Sequence, residues 1–238
     1  MSGEDQRVAI ITGGSRGIGA GLVTGYRSQG WAVVANAVTI KPSEDPDVLT
    51  VEGDITESAT AERILAAALE RFGHVDTLVN DAGVFIAKPF TDYTAADYAL
   101  ITGVNLAGFF LMTQVVIPEM VRRGHGHVVN ISSTEAVHPN SAEPAVLAAL
   151  TKGGLEAATK SLAVEYASRG IRVNAVSPGI IQTPLLTPES YASLGDRLPP
   201  LGRVGQVSDV VDGILYLESS PYITGEILHI DGGAGAGR

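Results

Sequence analysis

The 238-residue chain has no cysteine, a single tryptophan and only 5% aromatic residues. Without thiols it forms neither disulfides nor thiolate metal sites, and cysteine usage leaves the redox compartment open. Cations are scarce: 16 Lys and Arg stand against 26 Asp and Glu, a formal charge of −10 with no basic cluster. A phosphate backbone needs a basic face, so no nucleic-acid partner is expected. Apolar runs are short, and none approaches the roughly 20 residues of a membrane helix; no membrane association is expected. Met1 to Asp5 is acidic and leads into no apolar core of the secretory kind. The cytoplasm is therefore the expected compartment, and no metal site is expected.

What the chain does have is 45% hydrophobic residues and 28 glycines that fall mostly between apolar runs. Runs rich in Val and Ile recur at Val8–Ile11, Ala32–Ala35, Val48–Val51, Thr77–Val79, His127–Ile131, Ile171–Val176 and Glu226–Ile230, and read as strands. Helical spacing marks Ala59–Phe72, Ala95–Arg123, Ala145–Ser168 and Val207–Leu217. Strands apolar on both faces, alternating with helices, mean βαβ units. The expectation is a single α/β domain over residues 1–238, with a Rossmann-like, doubly wound, seven-stranded parallel sheet. Between Pro178 and Gly205 five prolines and no strand pattern predict a long loop. Loops of this length usually bind or cover a ligand, so residues from about 184 to 205 are assigned to substrate.

Thr12-Gly-Gly-Ser-Arg-Gly-Ile-Gly19 follows the first strand and opens the first helix. Glycines there let backbone N–H groups approach a pyrophosphate at the positive end of the helix dipole. An acidic side chain ending the second strand would pair with the ribose hydroxyls of NAD and repel the extra phosphate of NADP. That place holds Asn36-Ala37-Val38, while Arg16 in the glycine turn and Lys41 beyond the strand supply positive charge. NADP is favoured on this charge logic, and NAD stays open because the strand end carries no Arg.

The octet resembles the T-G-x-x-x-G-x-G of the short-chain dehydrogenase/reductase family, and further matches follow in order along the chain. Asp54-Ile55 resembles the family's adenine-contacting pair, and Asn80-Asp81-Ala82-Gly83 its N-N-A-G. Ser177-Pro178-Gly179 with Thr183 resembles the P-G-x-x-x-T segment that lines the nicotinamide, and Asp231-Gly232-Gly233 the closing D-G-G. Members similar to 3-oxoacyl-ACP reductases carry this set. The resemblance implies cofactor contacts at Gly13, Ser15, Arg16, Gly17, Ile18, Gly19, Asn36, Ala37, Asp54, Ile55, Asn80, Ala82, Gly83, Lys152, Pro178, Gly179, Ile181 and Thr183. It implies catalytic roles for Asn105, which would hold a water, for Ser133, with Ser132 as its rival, and for Lys152, which would hold the nicotinamide ribose.

The family's proton-transferring tyrosine should stand four residues before Lys152, where this chain has Ala148. No tyrosine occurs between Tyr98 and Tyr166, so a small shift of register does not supply one. General acid–base catalysis is typically worth about 10²–10⁴-fold. Ala148 is then a laboratory substitution, the mark of a catalytically weak or inactive cofactor-binding protein, or a sign of chemistry that needs no tyrosine. Reduction of a C=O leaves an alkoxide that must be protonated, whereas an iminium becomes a neutral amine by hydride transfer alone. The expected enzyme therefore reduces C=O or C=N, with Glu135 and His138 as candidate proton sources. A small, mostly apolar substrate would meet Val84–Ile86, the segment after Ser133 and the loop from Leu185 to Leu201, in which Arg197 and Arg203 are the cations. Family resemblance also implies a homotetramer or homodimer built on the long helices, including the Ala-rich stretch Ala145–Ala158.

Overall fold

The computed structural model describes residues 6–139, 141, 143–184 and 198–236. Nine strands are present among these: Val8–Thr12 (β1), Ala32–Ala37 (β2), Val48–Glu52 (β3), Thr77–Asn80 (β4), Gly126–Ile131 (β5), Ile171–Pro178 (β6), Ile181–Gln182 (β7), Gly205–Gln206 (β8) and Ile227–Ile230 (β9). Seven form one parallel sheet in the order β3-β2-β1-β4-β5-β6-β9. The helices are Gly17–Ser28 (α1), Ser58–Phe72 (α2), Ala95–Thr102 (α3), Phe109–Arg123 (α4), Val146–Tyr166 (α5) and Val207–Ser219 (α6).

Alternation along β1 explains the two layers. Val8 and Ile10 enter one core with Ile64 of α2 and Met112, Val116 and Met120 of α4. Ala9 and Ile11 enter the other with Leu22 and Tyr26 of α1 and Val210 and Ile214 of α6. Central strands covered on both faces must be apolar at every position, the pattern seen in the sequence. The chain winds outward from β1 to β3 and then returns to β4, so a crevice opens where the β1 and β4 connections part, at the carboxyl ends of the strands.

Three features depart from the sequence reading. Ala95–Arg123 is not one regular α-helix, because a π-helical turn at Gly103–Gly108 separates α3 from α4. Apolar spacing cannot reveal a one-residue change in hydrogen-bond step. The combined stretch is also long and apolar enough to cross a membrane by length and composition, contrary to the expectation that no run comes close. Met112, Val116, Ile117 and Met120 are instead buried in the sheet core, which is why the segment is apolar. Lastly, β7 and β8 pair in parallel within the region read as strandless; two-residue strands leave no periodicity to detect.

At the amino ends of the strands, opposite the crevice, Glu218 is held by three donors. Tyr26 Oη donates at 3.0 Å, Thr77 Oγ1 at 3.0 Å and His127 Nδ1 at 3.1 Å. Asn174 Nδ2 lies 3.0 Å and Arg172 Nη1 3.4 Å from His127 Nε2. Two donors facing Nε2 place the imidazole proton on Nδ1. Burial pushes His127 below its ordinary pKa despite Glu218. Burial alone would raise Glu218, but the bonds from His127, Tyr26 and Thr77 hold it below the usual carboxylate range.

Candidate active site

A cleft of about 1430 Å³ runs across the carboxyl ends of the strands. Of the residues singled out in the sequence, Gly13, Ser15, Arg16, Gly17, Ile18, Asn36, Ala37, Asp54, Ile55, Ala82, Gly83, Ser133, Lys152, Pro178, Gly179, Ile181 and Thr183 line it. Gly19, Asn80 and Asn105 do not; they shape it from behind.

The glycine turn is constrained by backbone conformation and by space. Gly13 and Gly17 have φ of 74° and 56°, a region that side chains with a Cβ rarely adopt. A Cβ at Gly19 would collide with the Gly13 carbonyl and lie 2.7 Å from Asp81 Oδ2. Thr12 Oγ1 accepts from the Asp81 and Ala82 amides, each at 3.1 Å, and so ties the turn after β4 to the end of β1. The cradle is therefore closed by packing against the N-D-A-G segment.

Asn80 and Asn105 are used as internal ties. Asn80 Nδ2 donates to Thr113 Oγ1 at 3.1 Å and Asn130 Oδ1 at 2.9 Å, linking β4 to α4 and β5. This placement, rather than the cleft wall expected of a cofactor contact, follows from its side chain pointing into the helix layer. Asn105, in the π turn, accepts from Val84 N at 2.9 Å and donates to Val84 O at 3.1 Å and Thr151 Oγ1 at 3.2 Å. Its amide thereby pins the cleft-lining Val84 to α5. π turns concentrate at functional sites, a signal no spacing rule carries.

Ser132 and Ser133 part company. Ser132 Oγ is buried and donates to Glu156 Oε1 at 2.7 Å. Ser133 faces the cleft, and its Oγ accepts from Glu135 N at 3.3 Å, capping the short turn Thr134–Ala136. Lys152 Nζ donates to Ile131 O at 2.6 Å. Burial lowers Lys152 to about 8, with Asp81 opposing the shift. Burial raises Asp81 to about 7, offset by the Lys152 charge and the Gly19 N–H. Ala148 lines the cleft one helical turn before Lys152 and brings no polar side-chain atom to it.

Several cleft residues were not assigned as binding positions from the sequence: Val38, Thr39, Asp81, Glu143 and Asp231. Asp81 alone had a visible signal, a carboxylate where the resembling motif has an amide. Glu135 and His138 also reach the cleft. A Cβ at Gly235 would lie 3.2 Å from His138 Nε2 and 2.7 Å from Asp231 Oδ2, so the two side chains flank the same glycine. Lys41 is exposed and lies off the cleft. Arg203 is paired with Asp209 at 2.7 Å, and Arg197, with residues 185–197 of the expected substrate loop, lies outside the described residues.

The cleft fits a dinucleotide on its own features. Asn36 is buried near the end of β2, where Nδ2 donates to Val51 O and Gly53 O while Oδ1 has no partner among the described residues. Buried acceptors left unpaired in a native fold call for a ligand or water. Gly17 and Ile18 bring the first turn of α1 to the same cleft, where a helix start leaves N–H groups without a helical carbonyl, and the Arg16 side chain does not cap it. Together they offer a donor cradle at one end and, at the other, a recess lined by Asn36, Ala37, Asp54 and Ile55.

A family profile described as enoyl-(acyl carrier protein) reductase matches residues 13–235. The chain belongs to the short-chain dehydrogenase/reductase family. Members of this family are oxidoreductases. The 3-oxoacyl-(acyl-carrier-protein) reductase FabG of Thermotoga maritima is 33% identical over 241 residues, covering 95% of this chain and 97% of its own. The solved structure of ElxO with NADP bound matches at 27% identity and a TM-score of 0.89, covering 98% of this chain and 100% of its own. A 3-ketoacyl-(acyl-carrier-protein) reductase from Brucella melitensis, complexed with NADH, matches at 31% identity and a TM-score of 0.86 with the same coverage.

Proposed function

We propose that the chain is an NADP(H)-dependent dehydrogenase/reductase, with NAD(H) as its second cofactor, acting on a C=O or C=N group of a small, mostly apolar substrate. The observation that carries this reading is one continuous cleft that joins the glycine turn to Ser133, Ala148 and Lys152. The relatives bound to NADP and to NADH support the choice of dinucleotide. So does the absence of a carboxylate at Asn36-Ala37-Val38, with Arg16 exposed at the cleft edge to meet a ribose phosphate.

The nicotinamide, when bound, supplies or accepts the hydride. Gly13, Ser15, Gly17 and Ile18 hold the diphosphate, Asn36, Ala37, Asp54 and Ile55 the adenosine, and Pro178, Gly179, Ile181 and Thr183 the nicotinamide end. Lys152 holds the ribose and Ser133 orients the reacting group. Ala148 takes the place of the family's tyrosine and holds no proton, so an alkoxide product needs water, Glu135 or His138 as its source. An iminium substrate needs none, which is why we favour C=N. Absorbance of the reduced nicotinamide, followed with ketones, aldehydes and cyclic imines and both cofactors, tests the reading. Turnover of an imine with NADPH is expected, and a tenfold preference for NADH would overturn the cofactor assignment.

Ala148 favours one competing reading, a cofactor-binding protein with little or no catalysis; tight dinucleotide binding without turnover on any substrate would establish it. Phe110, Leu150 and Val164 are exposed on α4 and α5, Val164 by 83%. These apolar faces support assembly as a homotetramer or homodimer through the long helices, in the cytoplasm.

A further inference from the structure

The side chain of Asp81 stands inside the phosphate cradle. Its Oδ2 would lie 2.7 Å from a Cβ at Gly19 and 3.1 Å from one at Gly13, and the backbone N–H of Gly19 acts to lower its pKa. Gly19 is the third residue of α1, so this N–H is one of the free donors that make a helix start attractive to an anion. The Asp81 carboxylate therefore stands on the cleft wall against the glycine turn, beside Gly13 and Gly17, where a diphosphate would come. Thr12 Oγ1 holds the backbone that carries it, by accepting from the Asp81 and Ala82 amides.

Charged and titratable groups lining the same cleft are Lys152 from α5, Arg16 from the glycine turn, Asp54 from the turn after β3, Glu135, His138 and Glu143 between β5 and α5, and Asp231 after β9. Of these, Lys152 is the one whose charge acts on Asp81. One ammonium then faces a carboxylate and, with a dinucleotide in place, the diphosphate as well. That local excess of negative charge is relieved if the carboxyl takes a proton. A neutral carboxyl also turns from pure acceptor into donor, and so can face an anion.

We propose that Asp81 sets the charge state in which the cleft accepts its dinucleotide: the diphosphate enters beside a protonated Asp81, and binding takes up a proton at this side chain. The proposal rests on the reading of the cleft as a dinucleotide site. It concerns affinity and not the chemical step, and it gives a role to the one position in the motif where a carboxylate replaces an amide. The free carboxyl titrates at about 7, so affinity is expected to be level below that pH. Above it, affinity falls by up to about tenfold per pH unit until the pKa of the complex is passed.

The test is binding of NADP⁺ and NADPH by calorimetry at mildly alkaline pH, in two buffers of different ionisation heat. Wild type is compared with Asp81→Asn, and infrared difference spectra are recorded on adding dinucleotide. Wild type is expected to take up about half a proton or more and to develop the C=O band of a carboxylic acid. Asp81→Asn is expected to bind more tightly, with that band absent and a shallower fall of affinity from neutral to mildly alkaline pH, the remainder being set by Lys152. The band assigns the proton to a carboxyl rather than to Lys152. If Asp81→Asn fails to fold by circular dichroism, Asp81→Ser takes its place in each comparison, and ¹³C-labelled aspartate in wild type assigns the band to an aspartyl carboxyl. Binding without the band, or the band retained in Asp81→Asn, overturns the proposal. If wild type binds neither dinucleotide, the reading of the cleft fails first, and the proposal with it.

Discussion

Ala148→Tyr is the most informative perturbation. Ala148 lies on the cleft side of α5, four residues before Lys152, and is 2% exposed. A phenol there would enter the cleft beside Lys152, an ammonium that burial brings to about 8 and that would favour the phenolate. Ketone reduction should rise by about 10²–10⁴-fold, the usual worth of a positioned acid, or about 3–5 kcal/mol of barrier. Packing opposes this gain: a large side chain beside Leu147 and Thr151, both buried, costs stability by about 1–3 kcal/mol, visible as a lowered Tm. Turnover of a cyclic imine should change by no more than a few-fold, because that reaction needs no proton from the protein. The assay is oxidation of NADPH with matched ketone and imine substrates, with dinucleotide affinity measured beside it. A folded Ala148→Tyr that binds cofactor yet gains nothing on any ketone would refute the placement of this residue. Strong ketone turnover by a parent without imine turnover would refute the C=N preference.

Other outcomes follow from the same geometry. Ser133→Ala should lower turnover with little change in Tm, whereas Ser132→Ala removes a buried bond to Glu156 and should cost about 1.5–3 kcal/mol in urea unfolding; equal effects would contradict the division of roles. Gly19→Ala forces the phosphate turn apart and should weaken dinucleotide binding by at least about tenfold, roughly 1.4 kcal/mol, which fluorescence titration would read. Glu218→Ala strands the donors of Tyr26, Thr77 and His127 and should destabilise by about 3 kcal/mol or more, far from the cleft. In wild type His127 is lowered, so protonation favours the unfolded chain, and stability should begin to fall as pH drops below about 6.5. Glu218 is also lowered, so its contribution is complete above the ordinary carboxylate range and is lost as pH falls through its folded pKa. Denaturation midpoints between pH 4 and 8, compared between wild type and a Glu218→Ala, His127→Ala double variant, would check both signs, the acid-side fall being shallower in the variant; an unchanged slope would count against the network.

The amino-acid sequence by itself determined the sheet and the cradle. Strands such as Val8–Ile11 and Ile171–Val176 are apolar at nearly every position because helices cover both faces, and that burial writes itself into composition. Glycines at 13, 17 and 19 are likewise legible, since backbone conformation and lack of space admit nothing else there. Which side chains meet across the fold was decided only in three dimensions. Asn80 and Asn105 sit in motifs that suggest ligand contact, yet each spends its amide on Thr113 and Asn130, or on Val84 and Thr151. Ser132 and Ser133 are neighbours of one chemistry, and only the position of Glu156 on α5 separates them. Asp81 and Lys152 are far apart along the chain, and the return of β4 beside β1 brings the carboxylate into the phosphate cradle. Local patterns record what each segment buries, while hydrogen-bond partners and charge pairs depend on distances that exist only after the sheet has closed.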